Sequence, residues 1–124
     1  MLKQFLRNIV LGEKASSERY VSYLRKQGVS VGEHVRFYSP MHTVVDLTCP
    51  CLLSIGNNVS VTQGVIILTH DYSWSVRKQL PDSDGEILGG QSPVRIGNNV
   101  FIGMNAIILC MMDMRHFLNA CDGK

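Results

Sequence analysis

A chain of 124 residues with net charge +2, 45% hydrophobic and 18% charged, has the size of one domain and the composition of an ordinary soluble protein. The basic excess is too small, and too little interleaved with aromatics, for a nucleic-acid face. No apolar run approaches the roughly 20 residues that a membrane-spanning helix needs. Four cysteines, Cys49, Cys51, Cys110 and Cys121, follow no disulfide-framework spacing and read as free thiols in a reducing, cytoplasmic setting.

Residues 1–28 read as a helical segment. Leu2, Phe5, Leu6, Ile9 and Val10 recur at helical spacing, while Lys3 and Arg7 interrupt any signal-peptide core and no small-residue cleavage site follows. The apolar face is expected to pack on the domain or a partner subunit, with a membrane surface as the alternative. Gly12 breaks this helix. Ser16 or Ser17 caps a second one, with Glu18 in its first turn, Tyr20, Tyr23, Leu24 and Gln27 on one face, and Gly28 as the stop.

From Val29 the period changes to six. Val31, Phe37, Thr43, Cys49, Ile55, Val61 and Ile67 fall in one phase, weakly before Leu53 and strongly after it. Neither a helix nor an alternating strand generates that period. A coil of very short strands joined by tight corners does, with an apolar anchor inside and Gly or Asn where φ turns positive. Gly-Asn-Asn-Val occurs at 56–59 and again at 97–100. Residues 71–93 interrupt the repeat with a loop carrying Trp74, Arg77-Lys78 and the turn-rich Pro81-Asp-Ser-Asp-Gly85. The repeat region is therefore 29–109, and residues 110–124 hold no hexad and read as a short cap or an irregular tail.

The hexads Ile55-Gly-Asn-Asn-Val, Val61-Thr-Gln-Gly-Val, Ile96-Gly-Asn-Asn-Val and Ile102-Gly-Met-Asn-Ala resemble the hexapeptide-repeat acyltransferases. The resemblance implies an all-β solenoid, a left-handed parallel β-helix of three hexads per coil, assembled as a homotrimer. The stretch Ile67-Leu-Thr-His-Asp-Tyr-Ser-Trp74 before the loop is similar to the O-acetyltransferases acting on sugars and polysaccharide precursors, with acetyl-CoA as acyl donor. That family continues with further coils and a Gly-x-Pro-Ala-Lys-like segment that helps hold coenzyme A. The sequence after Leu109 carries neither, so the alternative expectation is a non-catalytic β-helix scaffold.

Acetyl transfer to a hydroxyl needs a base that titrates near neutral pH, and the resemblance gives that role to His70. Asp71 is expected either to orient His70 or to bind the acceptor. Asp46 precedes His70 by a whole number of hexads and is expected either to share its face, where relatives contact the acceptor sugar, or to sit at a solvated corner. Tyr72, Trp74 and Arg77 would form an acceptor lid, the rings stacking on a sugar and the guanidinium holding an anion. Gly103, Met104 and Asn105 would line the pantetheine arm, as the resemblance implies. No metal site is expected, because Cys49-x-Cys51 lacks a second pair and His70 has no close histidine partner in sequence.

Overall fold

The structure, a computed structural model, describes residues 1–71 and 91–110. Two helices, α1 (Leu2–Leu11) and α2 (Ser17–Gln27), flank a 3-10 turn at Gly12–Ala15. Ser16 caps α2, its Oγ accepting the Arg19 N–H at 3.3 Å. Gly28 ends it with φ 105°, a left-handed conformation that glycine adopts without steric cost.

The described residues then form nine very short strands: β1 (Ser30–Val31), β2 (Val35–Phe37), β3 (Val44–Val45), β4 (Leu53–Ile55), β5 (Val59–Val61), β6 (Ile66–Leu68), β7 (Val94–Ile96), β8 (Val100–Ile102) and β9 (Ile107–Leu109). All six strand pairings are parallel, and they build three sheets ordered β1-β4-β7, β2-β5-β8 and β3-β6-β9. The chain thus visits the same three sheets in the same order three times. This arrangement fits a β-helix.

Alternation within each strand decides what goes inside. Leu53 and Ile55 of β4, and Val59 and Val61 of β5, are buried, while Ser54 and Ser60 between them are half-buried. Val65 and Ile67 close the middle winding, and Val94, Ile96 and Ile102 continue the core into the third. The phase is unbroken from Ile55 to Ile67 but shifts earlier. Val31 pairs with Ile55 and Phe37 with Val61, whereas Val45, not Thr43, pairs with Ile67. The cause is two 3-10 helices, Pro40–His42 and Pro50–Leu52, which absorb extra residues in the first winding. Proline's fixed φ suits the first position of such a turn. Thr43 is still buried, its hydroxyl donating to the Ser39 carbonyl at 2.9 Å. Cys49, expected inside, instead precedes the second 3-10 helix and is partly exposed.

The first winding has an edge that α2 covers. Its side chains and those of the 3-10 turn meet the edge backbone directly: Ser17 Oγ accepts the Phe37 N–H at 2.9 Å, and Lys14 Nζ donates to the Thr43 carbonyl at 3.1 Å. Arg25 donates to the carbonyls of Val31 (3.1 Å) and Gly32 (2.7 Å). Tyr20, Val21 and Leu24 are buried against the winding, with the Tyr20 ring edge-on to Phe37 at 4.9 Å. By contrast, α1 buries none of its residues.

One corner is stacked by an asparagine ladder. Asn57 Oδ1 accepts the Glu33 N–H at 2.8 Å, Asn98 Oδ1 accepts the Asn57 N–H at 2.7 Å, and Asn58 Nδ2 donates to Asn99 Oδ1 at 2.8 Å. Positions 34, 58 and 99 hold φ of 56°, 56° and 57°, which asparagine tolerates and which His34 adopts in the first winding. Glycine precedes each pair, and at Gly56 the reason is space. A Cβ at Gly56 would lie 2.4 Å from Asn98 Oδ1 and 2.6 Å from the Gly97 carbonyl oxygen, whereas one at Gly97 meets nothing within 4 Å among the described residues. Gly56→Ala should therefore destabilise the protein by about 1–3 kcal/mol, the range for forcing atoms into a packed site. Gly97→Ala should stay within about 0.5 kcal/mol. Urea unfolding of the two variants checks this, and equal midpoints would contradict the stacking argument.

Candidate functional site

The site begins where β6 runs out. Thr69 and His70 continue the chain past Leu68 towards the corner that leads back to the first sheet. One winding earlier, Asp46 follows β3, and its N–H donates to the Ile67 carbonyl at 2.8 Å. The β3–β6 register thus carries the Asp46 side chain beneath Thr69 and His70.

Asp46 is buried, and both its oxygens are engaged. Oδ1 accepts from the Thr48 N–H (2.9 Å) and hydroxyl (2.6 Å); Oδ2 accepts from the Thr69 N–H (3.0 Å) and hydroxyl (2.7 Å) and pairs with His70 Nδ1. Burial alone would raise the carboxyl's pKa, but the hydrogen bonds from Thr48, Thr69 and His70 outweigh it and hold the group well below the usual carboxylate range. At neutral pH the group is therefore ionised and can only accept. Nδ1 of His70 must carry the proton in this pair, which fixes the neutral ring's tautomer and leaves Nε2 as its basic nitrogen. The His70 side chain is 24% exposed, so the ring is held yet reachable.

The chain returns against the same point. Gln91 forms an antiparallel bridge with His70, and the Ser92 N–H donates to the Thr69 carbonyl at 2.9 Å. The Cys49 thiol donates to Gln91 Oε1 at 2.7 Å. Both ends of the interruption are thereby fastened to one another and to the first winding.

Asp71 is partly buried directly after His70, while Tyr72, Trp74 and Arg77 lie outside the described residues. Gly103, Met104 and Asn105 form the corner between β8 and β9. Asn105 holds φ 60°, and its N–H donates to the Gln63 carbonyl at 2.9 Å. This corner stacks on Gln63-Gly64, six residues before His70, so one side of the winding, about 20 Å of extended chain at most, separates the two places. The structure joins Asp46 to His70 and sets residues 103–105 apart from them. Two surface depressions, about 380 Å³ beside Tyr23 and about 390 Å³ beside Tyr38, are lined by none of these residues.

Thr48, Thr69 and Gln91 were not among the residues the sequence singled out. Thr48 had a readable signal, since Asp-Leu-Thr is the spacing at which an aspartate accepts from the backbone two residues on. Gln91 had none.

The chain is similar to Protein CapG of Staphylococcus aureus. The identity is 44% over 87 residues, covering 69% of this chain and 47% of that protein. The chain thus spans about half the length of the curated relative it matches. No family profile and no solved structure matches the chain.

The lowered carboxyl ties stability to acidity. Because folding lowers this pKa, the unfolded chain binds the proton more tightly, and the carboxylate's contribution is full above an ordinary aspartate value of about 4. It is lost as pH falls from there through the native value. Thermal midpoints should drop on acidification across that range, and Asp46→Asn, less stable at neutral pH, should show a shallower drop. Parallel curves for the two proteins would contradict the assignment.

Proposed function

We propose that the protein is an acetyl-CoA-dependent O-acetyltransferase acting on a hydroxyl of a sugar or polysaccharide precursor, built on a left-handed parallel β-helix. The observation that carries this reading is the Asp46–His70 pair, an ionised, buried carboxylate bonded to the histidine at the end of a regular winding. The parallel three-sheet winding, the repeated Gly-Asn-Asn-Val hexads and the similarity to Protein CapG support it.

In this reading His70 Nε2 takes the proton of the acceptor hydroxyl as its oxygen attacks the thioester carbonyl. The new C–O bond forms, the C–S bond breaks, and the imidazolium returns the proton to the departing thiolate. Asp46 holds the ring in the required tautomer and stabilises its charged form, the part the third group plays in a catalytic triad. Asp71, Tyr72, Trp74 and Arg77 would bind the acceptor. Gly103, Met104 and Asn105 would carry the pantetheine arm of the donor, where the backbone at Gly103 is open: a Cβ there meets nothing within 4 Å among the described residues. A homotrimer would cover the outer face of the third sheet, on which Val44, Ile107 and Leu109 are exposed next to the site. The second reading is a scaffold without acyl transfer, favoured by the distance between that corner and His70 within one chain.

His70→Ala should lower release of free coenzyme A in the presence of a saccharide acceptor by about 10²–10⁴-fold, the usual contribution of a general base. Far-ultraviolet circular dichroism should not change. Asp46→Asn should lower turnover by at least about 10²-fold while leaving acetyl-CoA binding, read by calorimetry, within a few-fold. Near-normal turnover in His70→Ala would overturn the assignment, and no binding heat from the unsubstituted protein would favour the scaffold.

A further inference from the structure

Helix α1 has no place in the site or in the core. Leu2, Phe5, Leu6, Ile9 and Val10 are 51–77% exposed along a single apolar arc, and the helix packs chiefly on the 3-10 turn that follows it. The expectation that this face packs on the chain's own domain is not met. No helix among the described residues is long and apolar enough to cross a membrane, so any lipid contact would be in the plane of the surface.

Charge distinguishes among the possible occupants. Residues 1–11 contain Lys3 and Arg7 and no aspartate or glutamate. Lys3 and Arg7 are four residues apart and so lie on one flank of the helix, beside the apolar arc. A protein groove receiving the arc would need acidic groups along its border to match these cations. A bilayer surface uses both, the apolar side chains entering the headgroup–acyl boundary and the long basic side chains reaching lipid phosphates.

We propose that α1 is an interfacial helix that docks the protein on an anionic lipid surface. The inference stands on α1 alone and does not depend on the acyl-transfer reading. One short helix gives weak, reversible binding, strengthened where several copies of the chain present their helices together.

The test is sedimentation of the full chain with vesicles of phosphatidylcholine, alone or mixed with phosphatidylglycerol. The mixed vesicles should carry the protein down and the neutral ones much less, with binding weakened by added salt. Lys3→Gln and Arg7→Gln should each reduce partitioning about fivefold, corresponding to the usual gain for one basic side chain near an anionic surface. Phe5→Glu with Ile9→Glu should abolish it. These side chains are exposed, so the variants should fold, which circular dichroism verifies. Equal sedimentation with both vesicle types, or none with either, would overturn the proposal. So would a Phe5→Glu/Ile9→Glu variant that changes oligomeric state in analytical ultracentrifugation while binding vesicles as before, since α1 would then be a subunit contact.

Discussion

The structure depends on parallel stacking of one winding on the next. A strand of two or three residues cannot stand alone; its N–H and C=O groups are satisfied only by the strand about 4.8 Å above or below it. Register is therefore everything in this fold. Slipping one winding by one residue would turn Leu53, Ile55, Val59 and Val61 outward together and bring the hydroxyls of Ser54 and Ser60 into the core. The asparagine ladder at 57–58 and 98–99 holds the register at a corner, where strands themselves contribute nothing. Gly56 belongs to the same device, because only without a Cβ can the Asn98 side chain approach the backbone closely enough to bond.

Stacking also creates ends, and an end is an unpaired strand edge. At the first winding the solution is chemical as much as steric. Four edge backbone groups, at Val31, Gly32, Phe37 and Thr43, bond to Arg25, Ser17 and Lys14 rather than to another strand. The buried face of α2 then supplies the apolar cover, with Tyr20 against Phe37. A helix is well suited to this because it satisfies its own backbone and can spend its side chains on its neighbour's. The same logic separates α2 from α1: the second helix is built into the fold, and the first leaves its apolar face outside it.

The middle of the fold was legible because the hexads from Ile55 to Ile67 are uninterrupted, so period and burial coincide. The first winding was not, since proline-led 3-10 helices insert residues without disturbing the apolar look of the sequence. Counting straight hexads put Thr43 and Cys49 in one inward phase with Ile67; the observed register pairs Val45 with Ile67, keeps Thr43 buried and leaves Cys49 at a surface turn. The same counting brought Asp46 to His70, but by a path the count did not contain. In register, Asp46 follows Val45 as Leu68 follows Ile67, and the carboxylate reaches His70 along the strand direction, past Thr69. The pairing of Cys49 with Gln91 was beyond sequence reading altogether, as it links a turn to the far side of an interruption with no periodicity.

The most consequential detail is how completely Asp46 is used. A carboxylate offers about four lone-pair directions, and this one accepts from two threonine hydroxyls, two backbone N–H groups and a histidine ring. A group so saturated has little capacity left to bind a sugar hydroxyl as well. What it can do is stay ionised. Losing the proton is favoured by each donor around it, so the charge beside His70 persists well below neutral pH. Thr48 and Thr69 therefore act on the histidine at one remove, by keeping its partner charged and fixed in direction. A base is useful in proportion to how well its proton-accepting atom is aimed, and here the aim is set by hydrogen bonds drawn from two successive windings.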